Sequence, residues 1–340
     1  MKKNIAFLII ICFAISLNSM AQTRIRVNNT PNVDADYSDL QEAIDAASAG
    51  DVIYIEGTGI PHSGTYHVNK AYLTLIGPGY FLALNDSTQS NTAPAIIQEL
   101  WLDEAATGAI VMGMKITGSL NVNASSTKVS RNHLYQVELA KSNTMADLSL
   151  FQNYITYEIG SGSYNSTASI YNNIITSSTR PIVTNDHAVL NIYNNIISGG
   201  YPGPNWVVVE NSFIKNNIIY TTYAVNYRFI DPSPTHNNSI YNNVICQEEL
   251  TEFPNNVWDV TPEDVAFYNE GGPEGKYVLI DESPAIGAGE NGVDCGIFGG
   301  NTPYVFSGLP PIPHIFESNI PFSGSSSDGL PVHIKAKTQQ

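Results

Sequence analysis

The feature that most constrains this chain is a short motif that recurs through its middle. The motif reads Ile-Tyr-Asn-Asn-Ile-Ile in residues 170–175 and again in residues 192–197, with close variants elsewhere. If the second Asn of the pair, or the single Asn of a variant, marks each copy, the successive spacings are 21, 20, 22, 22 and 26 residues. A period near 22 with short β-branched runs is too short for a propeller blade or a tetratricopeptide unit, and it predicts one turn of a β-solenoid. The six markers are Asn132, Asn153, Asn173, Asn195, Asn217 and Asn243.

The marker asparagines have a structural explanation. Each turn needs a sharp corner between two short strands, and asparagine tolerates the left-handed backbone region better than most residues. Stacked turns also bring equivalent side chains to about 4.8 Å, so their amides can hydrogen-bond along the stack. We therefore interpret the six markers as a structural ladder and not as a ligand-binding row. Gly113 and the Ile76–Gly77 step predict earlier corners.

The segment before the repeat predicts a cap for the first turn. Residues 37–50 have an amphipathic helical pattern, with Ser38 as the expected N-cap, Gln41 at the capping-box position and Gly50 as the stop. A strand is expected at residues 52–55. A short helix in this place would hide the first unpaired strand edge of the solenoid, which otherwise invites aggregation.

The chain is expected to divide into three parts. Residues 1–21 have two lysines, an apolar stretch too short to span a bilayer and a small-x-small site, which predicts a cleavable signal peptide and export to the periplasm or beyond. Residues 22–300 are the predicted parallel β-helix, with the Gly-rich residues 281–300 as its last coil. Residues 301–340 are a Pro-rich and strand extension that either follows the flank of the solenoid or forms a hairpin.

Charge limits the classes of partner. The chain has 31 acidic and 15 basic residues, and loss of Lys2 and Lys3 with the signal peptide changes the formal net charge from −16 to −18. Nucleic acids and anionic membranes require neutralisation by Lys and Arg, so neither is expected as a partner. No stable membrane insertion is expected, and the oligomeric state stays open. Cys246 and Cys295 are expected as buried free thiols, and no metal-ligand motif is present.

The segments at both ends of the repeat, and the repeat itself, resemble those of a known superfamily. Residues 37–44 and 50–55 resemble the N-terminal signature of the pectate-lyase-like β-helix superfamily, and the Asn-Asn-Ile-Ile turns look like its asparagine ladder. Residues 283–289 and 294–299 are similar to the closing motif of many secreted bacterial β-helix proteins. The resemblance implies an all-β, right-handed parallel β-helix over nearly all of residues 25–300. It does not imply one chemistry, since the superfamily contains lyases, hydrolases, esterases, epimerases and proteins without known activity.

The catalytic signatures of that superfamily are absent from the sequence. Polygalacturonase-type hydrolases have Asn-Thr-Asp, Asp-Asp, Gly-His-Gly and Arg-Ile-Lys motifs, and none of them is present. Residues 184–187, Thr-Asn-Asp-His, resemble the first motif only superficially. Pectate lyases use calcium-binding acids and a basic proton abstractor, but no Arg-x-x-Arg motif occurs in residues 121–247. These absences weigh against a typical enzyme. No cofactor is expected, and Ca²⁺ would be needed only by a lyase.

The other candidates for a functional site are residues that follow each corner and are not part of the repeated motif. Stacking would align them on a second sheet over about 20 Å, at about 4.8 Å per turn. Aromatic rings beside mixed charges suit sugars, although each residue could equally serve packing, a turn or a structural ion pair. His187 beside Asp186 fits either a general base oriented by a carboxylate or a solvated turn. The candidate carbohydrate-binding residues are Glu138, Glu158, Arg180, Asp186, His187, Trp206, Tyr227 and Arg228.

Three functions follow from these observations. The first is a non-catalytic β-helix that binds an extracellular polysaccharide or acts as a scaffold. The second is a polysaccharide lyase or glycoside hydrolase, an expectation that rests on fold analogy. The third is a surface or matrix component whose C-terminal extension docks a partner.

Overall fold

The protein is an all-β parallel solenoid of about eight turns, as predicted from the asparagine repeat. Its computed structural model describes residues 22–85, 88–199, 207–221, 237–261, 263–265, 267, 272–327 and 329–338. The expected signal peptide lies outside these residues. The described part has one α-helix and ends in an antiparallel strand pair.

Each turn contributes strands to two parallel sheets, and the strands are numbered β1 to β23 in chain order. The spatial order of the first sheet follows the sequence, which is the signature of a solenoid. Its ten described strands are β1 (Arg24–Val27), β2 (Val52–Ile55), β4 (Thr74–Ile76), β6 (Ile110–Met112), β8 (Lys128–Ser130), β10 (Met145–Phe151), β12 (Ser166–Tyr171), β15 (Ala188–Tyr193), β18 (Phe213–Lys215) and β20 (Ser239–Tyr241).

The second sheet has eleven described strands, and several are irregular in the middle. In β11, three consecutive partly exposed residues separate the buried Ile155 and Ile159. Strict alternation would turn the middle one inward, and the register shift at this point prevents it. The irregularity turns extra side chains outward. The strands are β3 (Pro61–Val68), β5 (Ile96–Leu102), β7 (Lys115–Val122), β9 (His133–Leu139), β11 (Tyr154–Ser161), β13 (Ile174–Ser177), β14 (Ile182–Val183), β16 (Ile196–Gly199), β17 (Val207–Val208), β19 (Ile218–Thr221) and β21 (Val244–Ile245).

The interior is filled by ladders of aliphatic side chains. Leu150, Ile170, Ile192 and Ile214 are in register on adjacent strands of the first sheet, and each is fully buried. Burial of one such side chain is worth about 1.5–3 kcal/mol. The apolar residues on either side of each corner therefore supply the core.

The corners confirm the ladder, and two adjacent residues have separate roles in each corner: one joins the ladder and the other has the left-handed backbone conformation. Each marker asparagine is fully buried, and the amide of one bonds the side-chain oxygen of the next. Asn173, for example, donates from its backbone N and Nδ2 to Oδ1 of Asn195, at 2.9 and 3.0 Å. The left-handed conformation belongs instead to the preceding residue, such as Asn194 with φ 56°. The marker must point inward to join the ladder, so its neighbour makes the reversed turn. The ladder extends one step beyond the repeat to Asn256.

The capping helix α1 is shorter than expected, Leu40–Ala46. Its N-cap is Asp39, whose carboxylate accepts from the backbone N of Glu42 at 3.0 Å, so the prediction of Ser38 is wrong by one residue. A charged acceptor at this end also complements the helix dipole. The C-terminal carbonyls are bonded by the ammonium group of Lys70, which donates to Asp45 at 2.7 Å and Ala47 at 2.9 Å.

The segment predicted as the last coil does not form one. Residues 283–312, here called the strap, contain turns and 3-10 helices and no strand. The strap runs back along the outside of the corners, where side chains of the left-handed residues bond its backbone. These outward side chains are free to do so because the ladder uses only the markers. The bonded pairs are Asn216 with Glu290, Asn172 with Ile297 and Gly299, and Arg131 with Leu309.

The C-terminal extension ends in a hairpin, one of the two arrangements expected from the sequence. Strands β22 (Pro313–Asn319) and β23 (His333–Thr338) pair antiparallel and are mostly exposed. The ammonium of Lys335 donates to Glu317 across the pair, at 2.7 Å. The described 3-10 helices are Leu82–Leu84, Glu104–Ala106, Gly275–Tyr277, Glu290–Gly292 and Phe306–Gly308.

Candidate functional site

The outer side of the second sheet gathers acidic, amide and aromatic side chains from four strands, β5 to β11. Trp101, Asn121 and Glu138 are in register on adjacent strands, and Gln136 lies opposite Glu158. Adjacent parallel strands are about 4.8 Å apart, so these side chains are neighbours. The carboxylate face, as we name this surface, consists of Glu99, Trp101, Asn121, Gln136, Glu138 and Glu158, and of these Asn121 is fully buried.

Two carboxylates of this face meet over a glycine. A Cβ atom added to Gly160 would lie 3.1 Å from Oε2 of Glu138 and 3.2 Å from Oε1 of Glu158. Burial raises the pKa of Glu158, the nearby charge of Glu138 raises it further, and Arg180 lowers it. The pair therefore holds a proton on Glu158 more readily than an isolated glutamate would.

Hydrogen bonds fix the other groups of the carboxylate face. Trp101 Nε1 and Asn121 Nδ2 both donate to Oε1 of Glu99, at 2.8 and 3.2 Å. Gln136 Nε2 donates to Oε1 of Glu138 at 2.5 Å. Side chains held in this way are ordered before a ligand arrives, so less entropy is lost when they bind one.

Aromatic rings border the same surface. The rings of Tyr135 and Tyr157, from β9 and β11, stack with centroids 4.9 Å apart and an interplanar angle of 7°. Tyr135 is 42% exposed. His67 stacks on Trp101 at 5.7 Å, and the ammonium of Lys141 lies 5.3 Å from the centre of that indole ring. The tyrosine pair is thus the more open apolar platform of the two.

The predicted candidates do not all lie together. Glu138 and Glu158 are on the carboxylate face, and Arg180 is close enough to act on the pKa of Glu158. Asp186 and His187 lie in the exposed turn between β14 and β15, beyond the strand ends, with His187 Nε2 3.5 Å from Asp186 Oδ1. Their place in a solvated turn agrees with the structural alternative. The remaining candidates, which lie outside the described residues, are Trp206, Tyr227 and Arg228.

Sequence reasoning missed four members of the carboxylate face. Glu99, Trp101 and Asn121 come from turns that precede the first marker, and Gln136 lies inside the first marked turn. The earlier turns lack the asparagine marker, so the sequence provides no register between them and the marked turns. The alternation in residues 99–102, which turns Glu99 and Trp101 outward on either side of the buried Leu100, was the available signal.

A second concave feature lies between the first sheet and the strap. This groove has a volume of about 700 Å³. Its floor includes Asn191, Tyr193 and Phe213, and Lys215 of the floor bonds Glu290 of the strap at 2.7 Å. The sequence did not predict it, because residues 283–300 of the strap were expected to form the last coil of the solenoid.

The described residues show neither a metal-binding cluster nor a membrane-spanning helix. Within them, no group of three or more His, Cys, Asp or Glu side chains is arranged to hold a metal ion. No helix in the same residues is long and apolar enough to cross a membrane. Cys246 and Cys295 are buried free thiols, as predicted, and burial raises the pKa of each to about 12.

The class of protein is defined by the fold, an all-β parallel β-solenoid with a flanking strap. Comparison with known proteins adds no closer assignment: no protein-family model matches the chain, and no curated protein matches it. Any function must therefore be argued from the two surfaces described above.

Proposed function

We propose that this protein is an exported member of the pectate-lyase-like superfamily that binds an extracellular polysaccharide on its carboxylate face without cleaving it. The signal-peptide pattern of residues 1–21 and the sequence signatures in residues 37–55 and 283–299 support export and family. The observation that carries the binding function is the ordered set of carboxylates and amides beside the stacked Tyr135 and Tyr157. Sugar hydroxyls bond such polar groups, and the apolar side of a sugar ring packs on an aromatic face.

The charges of the carboxylate face favour a neutral polysaccharide. Glu99, Glu138 and Glu158 place three acidic groups on it, while Lys141 and Arg180 are the nearby cations. A polyuronate would add further negative charge to this surface, and like charges at short range repel. The net charge of the whole chain, −16, acts in the same direction.

Affinity electrophoresis tests the binding function. The mature protein should be retarded by gels that contain xylan, glucomannan or mixed-linkage glucan, and less by polygalacturonate or alginate. Tyr157→Ala and Gln136→Ala should each weaken retardation about tenfold, which corresponds to about 1.4 kcal/mol. Asp186→Ala, an exposed change off the carboxylate face, is the matched control. Equal mobility in all gels would refute the proposal.

A second candidate is hydrolysis of a glycosidic bond, favoured by the arrangement around Gly160. The contacts at Gly160 place Glu138 Oε2 and Glu158 Oε1 at most about 6.3 Å apart. Retaining glycosidases have carboxyl groups about 5–5.5 Å apart, and inverting enzymes about 6.5–9.5 Å. With its raised pKa, Glu158 would act as the acid and Glu138 as the nucleophile.

Product analysis separates the enzymatic candidates from binding alone. New reducing ends that disappear in both Glu138→Gln and Glu158→Gln, while retardation in gels persists, would establish hydrolysis. Unsaturated uronides formed only with Ca²⁺ would establish the lyase alternative. Neither product from a panel of neutral and acidic polysaccharides would leave binding as the function.

A further inference from the structure

The first sheet presents two outward rows of side chains beneath the strap. In one row, the rings of Phe151, Tyr171 and Tyr193 stack at 5.0 and 4.9 Å, nearly parallel at 2°. Lys215 is next in register and ends the stack. Because the rings cover one another, Tyr171 and Tyr193 offer the groove their edges and their hydroxyl groups. Burial raises the pKa of Tyr193 to about 12, so its hydroxyl remains a hydrogen-bond donor at physiological pH.

The other row combines an open aromatic ring with small polar groups. Asn191 of β15 lies in register with Phe213 of β18, and Ser169 of β12 is on its other side. Phe213 is 49% exposed and lines the groove, so a large apolar ring is accessible there. Strand spacing puts the amide about 4.8 Å from both neighbours, a distance similar to the width of a pyranose ring.

The strap closes the groove with a neutral wall. Glu290 Oε2 accepts from Lys215 Nζ at 2.7 Å, so the two charges nearest the floor compensate each other. Thr302 and Asn301 add hydroxyl and amide groups to the same wall. A cation that is already paired gives an anionic ligand little attraction, and a paired carboxylate does not attract a cationic one.

One buried polar atom of the lining has no partner among the described residues. Asn194, only 4% exposed, lines the groove, and its Oδ1 accepts no hydrogen bond from the part of the chain that the structure describes. An unpaired buried acceptor costs about 1–3 kcal/mol, so a donor that reaches it would be favoured. Hydroxyl-rich ligands carry such donors on every ring.

From these four features we propose that the groove is a second binding site, and that it takes a neutral oligosaccharide. One sugar ring packs on Phe213, and its hydroxyls bond Asn191, Ser169 and the Lys215–Glu290 pair. The volume of about 700 Å³ lies within the range of about 300–1,000 Å³ typical of ligand sites. The site is separate from the carboxylate face, because it lies on the other sheet and does not depend on the function proposed for that face.

Isothermal titration of the mature chain with defined hexasaccharides tests this site. The probes are xylohexaose, cellohexaose and mannohexaose, with hexagalacturonate as the anionic comparison. Phe213→Ala and Asn191→Ala should each weaken binding of at least one neutral probe about tenfold. Tyr164→Ala, which removes a 46% exposed aromatic ring that does not line the groove, should leave it unchanged.

The variants distinguish failure of the groove from failure of the carboxylate face. Loss of affinity in the groove variants but not in Tyr157→Ala would support the groove site, whatever the carboxylate face does. Binding that is weakened only by Tyr157→Ala would overturn the groove site and leave the other proposal intact. No neutral binding, or tighter binding of hexagalacturonate in the groove, would also overturn it.

Discussion

Removal of one ladder amide should be far more costly than removal of an exposed amide in the same turn. Asn195 Nδ2 donates to the carbonyls of Ile170 and Tyr193, at 2.8 and 3.0 Å, and to Oδ1 of Asn217 at 3.0 Å. Its Oδ1 accepts from the backbone N and Nδ2 of Asn173. Asn195→Ala therefore deletes five hydrogen bonds in a fully buried corner.

The expected magnitude follows from the hydrogen bonds that the neighbouring groups lose. The backbone N–H of Asn173 loses its acceptor, which costs about 2 kcal/mol. The carbonyls of Ile170 and Tyr193 each lose one hydrogen bond, which together costs about 2 kcal/mol more. We therefore expect the free energy of unfolding to fall by about 4 kcal/mol. In urea, with a slope of about 3 kcal/mol per molar, the midpoint should fall by about 1 M. Asn195→Asp should be at least as harmful, because it removes the donors and buries a charge.

Asn191→Ala is the matched control for this change. Asn191 is in the same turn and in β15, but its side chain is exposed. A surface substitution of this kind usually changes stability by about 0.5 kcal/mol or less. Circular dichroism during urea titration measures both variants. Similar midpoints for Asn195→Ala and Asn191→Ala would refute the structural role assigned to the ladder.

Three further predictions concern buried groups and the strap. Burial raises the pKa of Glu274, so its contribution to stability is complete below the unfolded value of about 4.3 and is lost as the pH rises through the folded value. The melting temperature of the parent relative to Glu274→Gln should therefore fall between pH 4 and 7; a constant difference would contradict this. Cys246 and Cys295 should not react with a thiol reagent at pH 8 until the protein unfolds, and rapid labelling of the native protein would show that they are accessible. Asn172→Gly keeps the left-handed corner but removes three side-chain hydrogen bonds to the strap, with Ile297, Gly299 and Thr302, so amide exchange in residues 295–302 should rise severalfold; unchanged exchange would show that these bonds do not hold the strap.

The corner asparagines show which features of the fold can be predicted from local sequence and which cannot. Their period predicted the solenoid, and the bonds from Asn173 to Asn195 confirm the ladder. The left-handed residue was placed one position late, because Asn-Asn pairs leave two equivalent choices in the sequence. Only the inward direction of the marker decides between them. The helix cap was likewise misplaced by one residue, since Ser38 and Asp39 are both good caps.

Prediction of the carboxylate face required the register between strands that are distant in sequence. Glu138 and Glu158 were predicted as neighbours because both belong to marked turns, whereas Glu99 and Trp101 lie in turns without the motif. Their register with the later strands appears only when the sheet is assembled. Asp186 and His187 are adjacent in sequence, yet the chain turns them away from that sheet.

The asparagine period by itself determined the β-solenoid, because each repeat needs the same core residues and the same corner. Tertiary structure alone decided where the concave surfaces lie. The strap illustrates the reason: its Gly-rich sequence allows either another coil or an irregular path. Its path was selected by hydrogen bonds to Arg131, Asn172 and Asn216, which are 74 to 178 residues away along the chain. Contacts over such separations have no signature in local sequence, and the groove beside Phe213 exists only because of them.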